Sequence, residues 1–293
     1  MWILLAIISA LSLGVYDIFK KLSLGGNNVP TVLFLNTVFC SLMMLPVLIP
    51  TFTHGQIGPD GTVTGNLHIL LKSAIVLSSW ILGYFSIKHL PLTIAGPVNA
   101  ARPVIVLVGA LIIFGERLNA LQWGGVTLGF FSLFFISRIG ASEGFSLRHS
   151  RWLWLAIGAT TMGAVSALYD KYLMARYEPL QVQAWYSLYQ CFIMGLTMLI
   201  INSATAADKR TPFTWRWSIL FISVFLTAAD VAYFYALSLP GSMIAIVSML
   251  RRGAVIVSFI YGAFALKEKH IRLKLVDLSV LLIGLTLLVL GSK

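Results

Sequence analysis

Ten stretches of about 20 predominantly apolar residues follow one another along this chain, and they decide what it can fold into. They run over 2–24, 30–50, 67–88, 92–115, 121–139, 152–175, 180–202, 217–237, 241–266 and 273–291. A helix of about 20 residues crosses a hydrocarbon core of roughly 30 Å. Lipid offers no hydrogen bonds, so a crossing backbone must satisfy its own, and each stretch reads as a transmembrane helix. Punctuation divides them: Gly25-Gly26-Asn27-Asn28 ahead of Pro30, the loop from His54 to Asn66, and the abrupt breaks Leu90-Pro91 and Leu239-Pro240. The first stretch is too long for a signal-peptide core and is followed by no small-residue cleavage site, so it reads as a retained helix. Only 11% of the 293 residues are charged, against roughly a quarter in soluble domains. The expected fold is an all-α integral membrane protein of ten transmembrane helices.

The net charge of +11 does not point to nucleic acid, because the basic residues are scattered through short segments between apolar runs. Cys40 and Cys191 lie inside apolar runs and read as packing residues rather than a disulfide. His54, His68, His89, His149 and His270 fall at loops or helix ends without metal-ligand spacing. Neither a metal nor another cofactor is expected.

The hydrophilic segment from Arg138 to Arg151 splits the spans into two sets of five that match in order. Trp2-Ile3-Leu4-Leu5-Ala6-Ile7 meets Trp152-Leu153-Trp154-Leu155-Ala156-Ile157. Each first helix carries a Tyr-Asp pair, Tyr16-Asp17 and Tyr169-Asp170, and each second helix a cysteine. Each third helix ends on an aromatic pair seven residues before a proline, Tyr84-Phe85 before Pro91 and Tyr233-Phe234 before Pro240. Each fourth helix carries arginine near its middle and ends on a glutamate, in Gly115-Glu116-Arg117 and Lys267-Glu268-Lys269. The expected organisation is a first five-helix repeat over 1–139, a connecting loop over 140–151 and a second repeat over 152–293. Because five is odd, the second set enters the membrane from the opposite side, which makes an inverted repeat of the kind associated with secondary transport.

The duplicated five-helix unit, the Leu-Pro hairpins, and Phe114-Gly115-Glu116-Arg117-Leu118 followed by Leu121-Gln122-Trp123-Gly124-Gly125 resemble the EamA-type members of the drug/metabolite transporter superfamily. The resemblance covers the whole chain, and its second half departs from it where Leu266-Lys267-Glu268-Lys269 replaces Gly-Glu. It implies a central cavity walled mainly by helices 1, 3, 4, 6, 8 and 9 and the movement of small metabolites.

Charge inside the bilayer costs about 2.5–3.5 kcal/mol per residue on insertion scales, so it marks ion pairs or pathways. Arg102, one turn after Asn99, lies in the fourth span, and Arg251 with Arg252 in the ninth. Asp17, Asp170 and Asp230 lie in helices 1, 6 and 8. Tyr16, Trp80, Tyr84 and Tyr233 add an aromatic lining on helices 1, 3 and 8. A guanidinium donates two parallel hydrogen bonds to carboxylate or phosphate, so Arg102, Arg251 and Arg252 are expected to hold an organic anion. A basic residue on helix 4 facing a basic pair on helix 9 also resembles the phosphate site of the plastid phosphate translocators. The three aspartates are the candidates for ion coupling, with Asp230, which has no local basic neighbour, first among them. The competing reading has arginines and aspartates neutralising one another as structural pairs. Gly125 and Gly129 form a small-residue step suited to close helix packing or to a homodimer.

The expected activity is secondary-active transport of a small polar metabolite by alternating access in the cell membrane, with a proton or counter-substrate as coupling partner. A flippase for a phosphate-bearing lipid, a general metabolite or amino-acid exporter with structural arginines, and a scaffold are the alternatives, in falling order. An enzyme is disfavoured, since Gly-x-Gly-Asp, His-Glu-x-x-His and Gly-x-Ser-x-Gly are all missing from the sequence. Assigning loops alternately puts 13 Lys/Arg on one side and five, Lys72 and Lys171 among them, on the other. The positive-inside rule then places both termini outside, whereas the resemblance implies termini inside; we follow the charges.

Overall fold

The structure, a computed structural model, describes residues 1–89, 98, 101–139, 151–204, 212–254, 256–257, 261 and 271–292. Ten α-helices form among them: α1 (Trp2–Leu24), α2 (Val29–Thr53), α3 (Val63–His89), α4 (Arg102–Ile113), α5 (Ala120–Ile139), α6 (Arg151–Met174), α7 (Pro179–Ala204), α8 (Ser218–Ser238), α9 (Ile244–Leu250) and α10 (Ile271–Gly291). Among the described residues there is no strand. Six helices are long and apolar enough to cross a membrane: α1, α2, α3 over Val63–Gly83, α6 over Trp152–Met174, α7 over Pro179–Ile201, and α8. Their polarity is inverted relative to a soluble protein. Trp154, Phe192 and Leu199 are 72%, 67% and 68% exposed, whereas Asn36, Gln183, Gln190 and Asp170 are buried. Apolar outside and polar inside is stable only where the surrounding solvent is hydrocarbon.

Local chemistry sets the helix ends. Asn28 caps α2, its Oδ1 accepting from the Thr31 backbone N–H at 3.1 Å, with Pro30 in the first turn where no donor is needed. Asp60 accepts from the Thr62 N–H at 3.0 Å and thereby starts α3 at Val63, four residues before the apolar run suggests.

The chain divides into two compact units, one of Met1–Ala74 with Leu173–Leu239 and the other of Ile75–Tyr172 with Pro240–Lys293. Neither coincides with a half of the sequence, because helices from one half pack on helices from the other. In the first unit α8 lies against α1 and α2, and α7 against α2. Val32, Ile219 and Ile222 form the apolar centre there, and Phe19 stacks on Phe221 at 5.0 Å. The buried Ser9 hydroxyl on α1 donates to the Ala229 carbonyl on α8 at 2.7 Å.

In the second unit α4 packs on α9 and α5 on α10. The buried Ser79 hydroxyl on α3 donates to the Ala159 carbonyl on α6 at 2.8 Å. The segment from Gly115 to Gly125 is explained here piece by piece. Gly115 takes φ +62°, which L side chains rarely adopt, and so turns the chain out of α4. Asn119 and Gln122 form a reciprocal capping box for α5, each side chain accepting from the other's N–H at 2.9 Å. The same two amides donate to the Gly291 carbonyl at 2.6 and 3.1 Å and close the end of α10. Gly125 lies so close to α10 that a Cβ there would fall 2.6 Å from the Gly284 carbonyl oxygen. The small-residue step is thus spent on packing within the chain.

Candidate functional site

The second unit gathers the expected arginines. α9 is apolar, with Ile244, Ala245, Ile246, Val247, Met249 and Leu250 all buried, and it tightens into a 3-10 turn over Arg251–Gly253. Two turns of apolar helix therefore lead into the arginine pair. Arg102 is the first residue of α4 as described, with Pro103 behind it. Its guanidinium rests on Gly163 of α6, where a Cβ would fall 2.5 Å from Arg102 Cζ. Arg102 Nε is buried and meets no hydrogen-bond partner among the described residues. Among the described residues, the charge that acts on Arg102 is a second cation, Arg251. The Nε atoms of Arg251 and Arg252 are buried as well. Arg102 and Arg251 are both half-buried, and two guanidinium groups within each other's field raise each other's positive potential.

The expected acids are divided between the units. Asp170 is buried on α6 in the second. Asp17 and Asp230 belong to the first, where both act on the Tyr16 hydroxyl and Lys20 Nζ stands 5.3 Å from the Tyr16 ring. Thr227, one turn before Asp230, and Cys40 on α2 lie beside this group, and Ser223 donates to Asn36 Oδ1 at 2.9 Å one turn further along α8. Tyr233 is buried against Phe234, 5.4 Å between ring centres. Trp80 is half-buried on α3. Asn99 and the side chain of Tyr84 lie outside the described residues.

Three residues escaped the sequence reading as site residues. Lys72, counted there among loop charges, is only 2% exposed. Its Nζ stands 4.4 Å from the Tyr186 ring centre on α7 and 4.9 Å from that of Phe234 on α8. The reason is the early start of α3, which puts Lys72 nine residues, about 13.5 Å, into the helix. Gly163 has no local signal at all. Glu116, in the turn between α4 and α5, accepts from the Ile244 N–H at 2.6 Å through Oε1 and from the Ala245 N–H at 3.1 Å through Oε2. Burial pushes its carboxyl above the usual glutamate range, against the pull of those two donors and of Lys171. Lys171 in turn donates to the Ser242 carbonyl at 2.7 Å and to the Ser242 hydroxyl.

Comparison with known proteins agrees with this architecture. The model of the EamA-like transporter family matches the chain twice, over residues 1–138 and 150–290. No protein with a curated description matches it in sequence. Among 29 solved chains that it resembles is a crystal structure of 12% identity and TM-score 0.73, covering 99% of this chain and 98% of the other. At that identity the likeness concerns the fold alone.

Proposed function

The chain belongs to the EamA-like transporter family, and on that premise we propose that this membrane transporter carries a small organic anion, carboxylate or phosphate-bearing, held by Arg102, Arg251 and Arg252. One observation carries the reading. The half-buried Arg102 lies in the field of Arg251, and its buried Nε is unsatisfied among the described residues. Two guanidinium groups in each other's field suit a ligand that brings negative charge.

The mode of transport is alternating access by two five-helix repeats of opposite orientation. Two features support it. The family model matches each half separately. The bonds Ser9 to Ala229 and Ser79 to Ala159 also join corresponding steps of the two halves, first helix to third-position helix in both cases. Proton coupling is assigned to Asp230, supported by its place beside Tyr16 and Cys40 on the α8 face turned to α1 and α2. Asp230→Asn is expected to abolish uptake driven by a pH gradient while leaving exchange of internal for external anion intact; retained gradient-driven uptake would remove Asp230 from that role. The protein is placed in the cell membrane.

The test of cargo class is uptake into proteoliposomes of labelled inorganic phosphate, phosphorylated sugars, dicarboxylates, amino acids and amines, by wild type and Arg102→Gln. Anion uptake lost in the variant supports the reading. Uptake confined to neutral or cationic compounds, unchanged by the substitution, contradicts it. Scrambling of a phosphate-bearing lipid in the same vesicles with no uptake of soluble anions would transfer the arginines to a lipid headgroup.

A further inference from the structure

We propose that Glu116 is a positioning residue for the anion site: its carboxylate holds the start of α9 and thereby sets where Arg251 lies beside Arg102. The inference rests on the reading of those arginines as anion ligands. It begins with a deficiency in α9. The first turns of a helix leave N–H groups without partners, and a polar residue at the cap ordinarily accepts from them. At that position α9 has Met243, in extended conformation with no side-chain cap, followed by apolar residues. The missing acceptor comes from 128 residues away in sequence, where Glu116 spreads its two oxygens over the Ile244 and Ala245 N–H groups. Lys171, tied to Ser242 immediately before α9, supplies the positive charge facing that carboxylate. A carboxylate at the positive end of the helix is also favoured by the macrodipole.

The geometry makes this hold consequential for the site. Arg251 is seven residues beyond Ile244, two helical turns and about 10 Å along the axis. Apart from the half-buried Ser248, the residues between are buried and apolar, so packing is the main hold on the axial position and rotation of α9 over that length. Packing permits a helix to slide or turn by a fraction of a residue; two directed bonds at one end do not. Gly115, at φ +62°, is what presents Glu116 to the start of α9.

The test compares purified wild type, Glu116→Gln, Glu116→Asp and Arg102→Gln in detergent, with inorganic phosphate as the probe. Two quantities are read: deuterium exchange of the peptide covering 242–250, and the Kd for phosphate. Glu116→Gln keeps the size but puts an NH2 where an N–H needs an acceptor. It is expected to speed exchange in that peptide by about 2- to 30-fold, the range that loss of a cap produces, and to weaken phosphate binding by a comparable factor. Glu116→Asp, which keeps the charge on a shorter arm, is expected to fall between. Peptides of α1 should exchange as in wild type in every variant. Unchanged exchange over 242–250 in Glu116→Gln would overturn the inference, as would faster exchange with wild-type phosphate affinity. Failure of the anion reading looks different: wild type binds no phosphate, or Arg102→Gln binds it as wild type does. In that case faster exchange still establishes the hold on α9, and the link to the arginines is withdrawn.

Discussion

The two compact units bury cations in opposite ways. In the first, Lys72 is enclosed by the rings of Tyr186 and Phe234, and Lys20 stands over Tyr16 beside Asp17 and Asp230. Each positive charge has been given electron-rich or acidic company by its own chain. In the second, Arg102 has Arg251 for a neighbour and a glycine beneath its guanidinium. Removing charge from water carries a cost in both places. The first unit meets that cost internally and gains rigidity. On the proposed reading, the arginines of the second unit offer their charge to an arriving anion, and that is what separates a binding charge from a structural one.

Substitution should separate them most sharply. Lys72→Met removes a desolvated cation from two rings, a contact worth about 2 kcal/mol or more, and is expected to leave the protein less stable than Arg102→Met does in a denaturant titration. Arg102→Met relieves a like-charge contact and is expected to leave stability unchanged or to raise it by up to about 2.5 kcal/mol, with loss of anion uptake. Equal destabilisation by both would erase the distinction and make Arg102 structural.

A smaller effect is expected at the glycine. In Gly163→Ala the new Cβ must displace the end of a flexible arginine side chain rather than backbone, so stability should fall by less than about 1 kcal/mol, below the usual range for overpacking. Anion affinity should drop about tenfold, since a misplaced bidentate donor loses about 1.4 kcal/mol readily. Wild-type affinity in Gly163→Ala would show that the position of the guanidinium does not matter.

The smallest effect is on pH dependence. Burial raises the folded-state pKa of Glu116. The folded protein then holds that proton more tightly than the unfolded chain, so this group stabilises the fold below its unfolded pKa of about 4.3 and that contribution is lost as pH rises through the folded value. Glu116→Gln lacks the titration. The Tm difference between variant and wild type should therefore shift in the variant's favour as pH rises through that window. A constant difference across the window would mean that Glu116 titrates normally.

Much of this was legible in the sequence, for reasons tied to particular residues. The six long apolar helices and the duplicated Tyr-Asp positions follow from local composition and spacing, which need no partner to be read. The Gly-Glu-Arg and Gln-Trp-x-Gly phrases were recognisable without their purpose. That purpose is to start α5, close α10 and cap α9, and the last two tasks join residues 128 or more positions apart. Gly163 and Lys72 were missed on the same ground, since what they do depends on Arg102, Tyr186 and Phe234, all distant in sequence. One local clue did exist: an apolar helix start at Met243-Ile244 with no capping residue asks for an acceptor from elsewhere.

The most direct test of the central claim is thermal unfolding of wild type and Arg102→Gln against a concentration series of inorganic phosphate and dicarboxylates. A ligand at 100 times its Kd stabilises the folded state by about 2.7 kcal/mol. The account predicts a concentration-dependent rise in Tm with anions for wild type and none for Arg102→Gln. An equal rise in both, or a rise only with neutral or cationic compounds, would contradict it.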